Sequence, residues 1–172
     1  MVDEPTGVVI RSATPQDARA IADVHVTSWR QAYAGLIDEE YLAGLDVDTR
    51  AERWRDTLEG NNSTQVWVAQ DDDHVVGFAS LGPSQDEDAG RETMQVYALY
   101  LDPAAWGRGA ARSLIRMVID AVPTGAPLTL WVAAGNDRAR HFYRRNGFVD
   151  DGVERIEEFG GDRVREVRYR RS

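Results

Sequence analysis

The sequence predicts an α+β fold, and three observations carry that reading. Hydrophobic residues recur every three to four positions in some stretches and alternate in others, so helices and strands both occur. These stretches give a strand–helix–strand–helix core joined by short connections. No repeat, low-complexity run or linker interrupts the 172 residues, which are 42% hydrophobic and 28% charged. That length and composition fit one domain over residues 1–172.

Residues 8–12 (Val-Val-Ile-Arg-Ser) read as a short strand. Thr14-Pro15-Gln16-Asp17 marks a helix start, with a capping hydroxyl, a proline that fits the first turn and an acid beside it. Ala18, Ile21, Ala22, His25 and Trp29 then form one apolar stripe, and Tyr33 extends it. A second helical stretch runs from Asp38 to Leu58 with a break near Asp46. Thr49-x-x-Glu52 has the form of a capping box for its later part. Thr64–Gln70 and His74–Ser80 alternate as two strands of a hairpin across Asp71-Asp72-Asp73. Gly82-Pro83 and the acidic stretch to Gly90 form a loop, and Thr93–Asp102 is a long strand that Pro103 ends. Gly107-Arg108-Gly109 opens a helix whose stripe is Ala111, Leu114, Ile115 and Val118. Leu128–Ala133 is a strand. Asn136–Asn146 is a helix with Ala139, Phe142 and Tyr143 inward, stopped by Gly147. Two short strands follow from Phe148 onward.

Composition excludes several chemistries. The chain has no cysteine and no lysine, so disulfides, thiolate metal sites, a cysteine nucleophile and a Schiff base are all absent. Its histidines (His25, His74, His141) lie at no metal-ligand spacing, and no metal is expected. No apolar run approaches the ~18 residues of a membrane span. The acidic opening Met-Val-Asp-Glu-Pro-Thr lacks a signal-peptide pattern, so a soluble cytoplasmic protein is expected. A net charge of −9 argues against nucleic acid as a partner. The charge is uneven: residues 1–91 carry 7 Arg and 18 Asp or Glu, and residues 92–172 carry 13 and 11. One half suits a cation and the other an anion, although acidic surface loops account for such a split equally.

Leu99-Tyr-Leu-Asp-Pro followed by Trp106-Gly-Arg-Gly-Ala-Ala-Arg112 is the strongest chemical signal. Glycines let a backbone approach a bulky group, and a helix N-terminus offers unpaired N–H groups and partial positive charge. Together they form a cradle for a phosphate or diphosphate, with Arg108 and Arg112 beside it. The glycine pair alone also fits a plain tight turn. A P-loop is excluded because it needs a lysine, and no βαβ repeat supports a dinucleotide fingerprint.

The segment Asn136-Asp-Arg-Ala-Arg-His-Phe-Tyr-Arg-Arg-Asn-Gly-Phe148 resembles motif B of the GNAT superfamily of acyl-CoA N-acetyltransferases, usually Asn-x-x-Ala-x-x-Phe-Tyr-x-x-x-Gly-Phe. The Gly107–Ala111 loop is similar to that family's motif A, [Gln/Arg]-x-x-Gly-x-[Gly/Ala], with Trp106 in the Gln/Arg position and Ala111 in the last. The two motifs occur in the family's order. Ser28-Trp-Arg-Gln-Ala-Tyr-Ala-Gly-Leu with Tyr41-Leu also looks like a branch that includes polyamine acetyltransferases. The resemblance implies a mixed, mostly antiparallel sheet of six to seven strands flanked by about four helices. It implies acetyl-CoA as co-substrate, a small amine as acceptor and, as in many GNAT domains, an option of homodimerisation. A non-catalytic acyl-CoA sensor on the same fold is the alternative.

The resemblance also distributes roles. The backbone of Leu99, Tyr100 and Leu101 pairs with the pantetheine arm. Trp106, Gly107, Arg108, Gly109, Ala110, Ala111 and Arg112 hold the diphosphate, and Asn136 touches the cofactor. Arg138, Arg144 and Arg145 are candidates for the 3′-phosphate or simply a solvated helix face. Tyr143 is the expected acid: a phenol, pKa ~10, can protonate a departing thiolate. The reading of Tyr143 as a core residue stays open. Trp29, Tyr33 and Tyr97 are candidates for the acceptor pocket. The usual glutamate position early in the fourth strand is Gln95, which cannot take a proton. Glu92 and His25 are nearby without a firm role. With no cysteine, direct attack in a ternary complex is the route that remains.

Overall fold

The computed structural model describes residues 7–172. Its framework is one seven-stranded sheet in the order β1-β2-β3-β4-β5-β7-β6. The strands are β1 Val8–Ser12, β2 Gln65–Asp71, β3 His74–Pro83, β4 Met94–Leu101, β5 Leu128–Ala133, β6 Val149–Phe159 and β7 Asp162–Arg171. Neighbours are antiparallel except β4 and β5, which run parallel. The mixed, mostly antiparallel sheet is therefore as expected. The helices are α1 Ala18–Ala32, α2 Glu39–Ala43, α3 Val47–Glu59, α4 Ala110–Ala121 and α5 Asp137–Arg145. They number five rather than about four because the stretch from Asp38 divides into α2 and α3.

Local chemistry explains the boundaries. Thr14 and Pro15 open a single 3-10 turn ahead of α1. There the Asp17 carboxylate accepts the Thr14 N–H at 2.8 Å and two N–H groups of Arg11, also at 2.8 Å. The cap of α3 is Asp46, not the box expected at Thr49: the Asp46 carboxylate accepts both the Asp48 N–H and the Thr49 hydroxyl. A carboxylate three residues upstream thus uses the Thr49 hydroxyl as a donor. The last two strands are 11 and 10 residues long, not short. They carry cross-strand ion pairs, Arg155 with Glu166 at 2.8 Å and Arg165 with Glu154 at 2.7 Å, where a hydrophobic pattern would otherwise reveal a strand.

The two sheet faces are covered differently. Leu114, Ile115 and Val118 of α4 and Tyr143 of α5 pack with Leu81, Val96, Leu130, Val132, Phe148 and Tyr169. On the other face Ile21 and Val24 of α1 and Trp54 and Leu58 of α3 meet Val66, Val68 and Phe78. The α1 stripe continues into an aromatic group around His25. The imidazole stacks on Tyr100 with centroids 5.3 Å apart and lies 5.6 Å from Phe78 and 6.0 Å from Trp54. Its Nδ1 accepts the Trp54 indole N–H at 3.2 Å.

Burial, helped by the positive charge of Arg50, pulls the His25 pKa down to about 3. His25 is thus a neutral core residue. In the unfolded chain a histidine binds its proton near pH ~6.5. Between these values the unfolded state holds the extra proton, so stability rises with pH across the window and falls as pH drops through it. Chemical denaturation from pH 4.5 to 7.5 should show a slope approaching ~1.4 kcal/mol per pH unit at its steepest. His25→Gln should flatten that slope; an identical slope in the variant excludes His25 as its source.

Candidate active site

The parallel pair β4–β5 holds register for only three residues, Met94, Gln95 and Val96 against Leu128, Thr129 and Leu130. The cause lies on the other edge of β4. Ala98 faces Ser80 and Val96 faces Leu81, so Tyr97 is an extra residue, a β-bulge. A bulge bends its strand and sharpens the twist. β4 then follows β3 to the end, with Leu101 opposite Gly77, while β5 parts from it. The Asp102 N–H donates to the Val76 carbonyl at 2.7 Å. Counting back in the antiparallel alternation, Tyr100 and Ala98 turn their main-chain groups to β3, and Leu99 and Leu101 turn theirs into the split. The Leu101 carbonyl is engaged by the indole N–H of Trp106 at 3.1 Å and by the Ser28 hydroxyl at 3.4 Å. The Leu99 amide and carbonyl and the Leu101 N–H face the split, an edge that accepts an added strand.

The mouth of the split is the glycine loop. Asp102 caps the 3-10 turn Pro103–Ala105 by accepting the Ala104 N–H at 3.0 Å. Gly107 and Gly109 then take φ of 84° and 81°, the left-handed region, and Gly109 caps α4 without a side-chain bond. A Cβ on either glycine would meet nothing within 4 Å. The backbone angle rather than crowding demands glycine, and the space over the loop is open. The first N–H groups of α4 point into that space. Arg108 is paired with Asp71 at 2.9 Å. The Arg138 guanidinium of α5 lies 3.8 Å above the Trp106 ring, joining the two helix starts across the split.

On α5, Asn136 is the N-cap, its side chain accepting the Ala139 N–H at 3.1 Å. Two turns on, Tyr143 is 8% exposed, set edge-on between Phe142 and Phe148. Among the described residues its hydroxyl has no hydrogen-bond partner, yet it is not a sealed atom. Burial, with Tyr100 nearby, pushes the phenol well above its ordinary value, so it stays protonated. Burial raises Tyr33 and Tyr100 likewise, Tyr100 to about 12. The hydroxyls of Tyr33, Tyr100 and Tyr143 are near enough that charge on one opposes ionisation of another.

The α1 face of the split is aromatic and charged. Trp29 lies 4.6 Å from Tyr33 and 4.9 Å from Phe159, and its indole N–H donates to the Tyr100 hydroxyl at 3.0 Å. Tyr97 does not join them: its ring lies along Gly82 and its hydroxyl donates to the Pro83 carbonyl, on the β3 side of the bulge. Gln95 is buried and accepts the Gln85 N–H at 3.0 Å, which docks the 84–90 loop. Arg168 docks the same loop. Its buried guanidinium holds Asp88 at 2.7 Å, Asp151 at 2.7 Å and Asp86 at 3.2 Å. Glu166 stands beside the last residue of β5, Ala133, and opposite Arg155. It is 6% exposed, and Oε1 accepts the Arg155 Nε at 2.8 Å. Burial raises its pKa above the usual carboxylate range, and the Arg155 bond draws it part of the way back.

The pattern of the Acetyltransferase (GNAT) family matches residues 24–148. The chain belongs to that family. It is 38% identical to the uncharacterized N-acetyltransferase YuaI of Bacillus subtilis over 110 residues, 63% of this chain and 60% of the length of that one. It is 28% identical to the probable N-acetyltransferase Rv2775 of Mycobacterium tuberculosis over 153 residues, 87% of this chain and 84% of the relative. A PaiA N-acetyltransferase from Thermoplasma acidophilum, solved with coenzyme A, shares the fold at a TM-score of 0.70 and 21% identity, over 92% of this chain and 97% of that one. YncA from Salmonella typhimurium, solved with acetyl-CoA, does so at 0.71 and 22%, over 95% and 92%.

The GNAT fold thus gathers Leu99, Leu101, the Trp106–Arg112 loop, Asn136 and Tyr143 around one split, with Trp29 and Tyr33 on its other face. Tyr100 contributes its side chain there, while its main chain faces β3. Sequence reasoning missed Glu166 and Arg168, because alternation in an arginine-rich strand says nothing about which charges fold inward. Arg168→Met would leave Asp86, 11% exposed, without its cation and Asp151, 12% exposed, with only the longer contact to Arg170 at 3.5 Å. A loss of ~3 kcal/mol in urea denaturation is expected, together with faster proteolysis at residues 84–90. A loss under ~0.5 kcal/mol, the range of ordinary surface substitutions, excludes the clamp.

Proposed function

We propose that the chain transfers an acetyl group from acetyl-CoA to a primary amine on a small cationic acceptor, by direct attack in a ternary complex. One observation carries this: the β4–β5 split opens beside the glycine-capped start of α4, and Tyr143 packs in the core with Val96 and Leu130, the last paired residues before the split. A pantetheine arm along Leu99 and Leu101 would complete the β4 edge as an added strand. The open N–H groups of Ala110, Ala111 and Arg112, with Arg108 released from its half-exposed pair with Asp71, suit the diphosphate. The Asn136 amide N–H₂ takes no part in the capping bond and would be a donor to the cofactor. An N–H of the split edge polarises the thioester carbonyl.

The amine nitrogen attacks the thioester carbon, the C–S bond breaks, and the sulfur takes a proton from Tyr143. The phenol is neutral throughout the neutral range, so it is a donor. It regains its proton from the nitrogen that became the amide. The acidic first half of the chain and the aromatic wall of Trp29, Tyr33 and Phe159 favour a cationic acceptor with apolar methylenes. The sensor alternative draws on Gln95, whose amide is occupied by the loop.

Thiol release from acetyl-CoA over a panel of amines tests the reading, with turnover of at least one amine expected. Tyr143→Phe should retain coenzyme A affinity and lose ~100-fold or more in kcat; unchanged turnover removes Tyr143 as the acid. Gly109→Val should weaken coenzyme A binding in calorimetry, because a β-branched residue resists the left-handed angle at a cost of ~1–2 kcal/mol. Coenzyme A binding without acetylation of any amine favours the sensor.

A further inference from the structure

We propose that Glu166 holds the acceptor's ammonium group and takes its proton before the amine attacks. This rests on the acetyl-transfer reading and supplies the base that Gln95 cannot be. Four observations support it. Glu166 lies on β7 beside Ala133, where β5 ends at the split. Its side chain is 7% exposed, and among the described residues its one hydrogen-bonded oxygen is Oε1, bound to Arg155. Oε2 has no hydrogen-bond partner among the described residues and is not a sealed atom, so one carboxylate oxygen is open to a ligand. Its charge is felt by the hydroxyls of both Tyr33 and Tyr100, which sets it among the aromatic residues of the α1 face.

The surroundings suit a proton acceptor. The charged or titratable groups facing Glu166 are Arg155 and Glu157 of β6, Tyr33 of α1 and Tyr100 of β4. Arg155 is shared: it also meets Glu157 at 3.3 Å and lies 4.3 Å over the Trp131 ring. It therefore only partly neutralises Glu166. A carboxylate raised by burial is better matched to an ammonium than an exposed one. The balance is simple. The ammonium gives one proton to the Glu166 carboxylate, and its freed lone pair forms the C–N bond as the C–S bond breaks. The nitrogen's second proton ends on Tyr143 after Tyr143 has protonated the sulfur. Glu166 then releases its proton to water, so one proton leaves per acetyl group transferred.

The test is the pH profile of kcat/KM for the full chain with acetyl-CoA and spermidine, kanamycin or alanyl-alanine as acceptor. In the wild type an acid limb is expected. Glu166→Gln should lower kcat/KM ~100-fold or more at pH 7 and approach the wild type at alkaline pH, where the amine is already free. Coenzyme A affinity should be unchanged. Arg155→Met breaks the same ion pair but keeps the base: the limb should persist and move to higher pH, since loss of a neighbouring cation raises a carboxylate's pKa. A purely structural pair would instead give both variants the same profile. Glu166→Asp, which keeps the charge, should retain the limb at reduced rate, and it tests the assignment if Glu166→Gln fails to fold. Turnover by the wild type with an unaltered profile in Glu166→Gln overturns this assignment alone. No turnover of any of the three amines by the wild type overturns the acetyl-transfer reading and this assignment with it.

Discussion

The site depends on the one extra residue in β4. Without the bulge at Tyr97, β4 and β5 would stay paired, and the Leu99 and Leu101 groups would be satisfied inside the sheet. The bulge is held on the β3 side. The Tyr97 hydroxyl bonds to Pro83, and its ring lies where a side chain on residue 82 would be: a Cβ there would come within 2.5 Å of the tyrosine oxygen. Gly82 is thus a glycine because of a close approach, with no unusual backbone angle required. Because β3 continues to pair with β4 as far as Leu101, the strand can leave β5 without losing its other ladder. One edge stays satisfied, and the other is free for a ligand.

Folding also reorganises the charge that is segregated along the chain. The acidic first half and the arginine-rich second half meet in defined pairs. Asp86 and Asp88, which read as a solvated acidic loop, close on Arg168 together with Asp151 from the second half. A buried guanidinium with three carboxylates is not a surface pair; its value lies in not leaving any member alone. The result is a loop held over Gln95 and Trp131, one bond reaching each. Part of the acidity that suggested a cationic acceptor is therefore structural. The carboxylate proposed for the acceptor, Glu166, belongs instead to the arginine-rich half.

Much of the fold was legible because it is written in short-range patterns. Leu128–Ala133 reads as a strand at its observed limits, and the Asn136 and Asn146 caps bracket α5 as its sequence suggests. The stripes of α1 and α4 follow helical spacing, with Ala110 rather than Ala111 the more buried alanine at the start of α4. What was not legible depends on long-range partners. The Asp46 cap competes with a plausible box at Thr49, and only the folded loop shows which carboxylate is close enough. The bulge at Tyr97 shifts side-chain parity, so two-residue spacing from Gln95 no longer places Tyr97 on the same surface. Glu166 sits in a strand where seven of ten residues are charged, and its burial comes from pairing with β5 and β6.

The split also separates two proton-handling groups. Tyr143 belongs to the core between the sheet and α4 and α5, as do Val167 and Tyr169 of β7. Glu166, one residue before Val167, projects from the opposite face. Burial holds the phenol neutral and raises the pKa of the carboxylate. The sheet keeps them apart everywhere except where β4 and β5 diverge. In the proposed complex a thioester from the α4–α5 side and an amine from the α1 side would meet in that opening. In the proposed reaction the amine loses its proton on one face, and the sulfur gains one on the other. With Gln95 committed to the 84–90 loop, the base proposed on β7 rather than β4 fits this division.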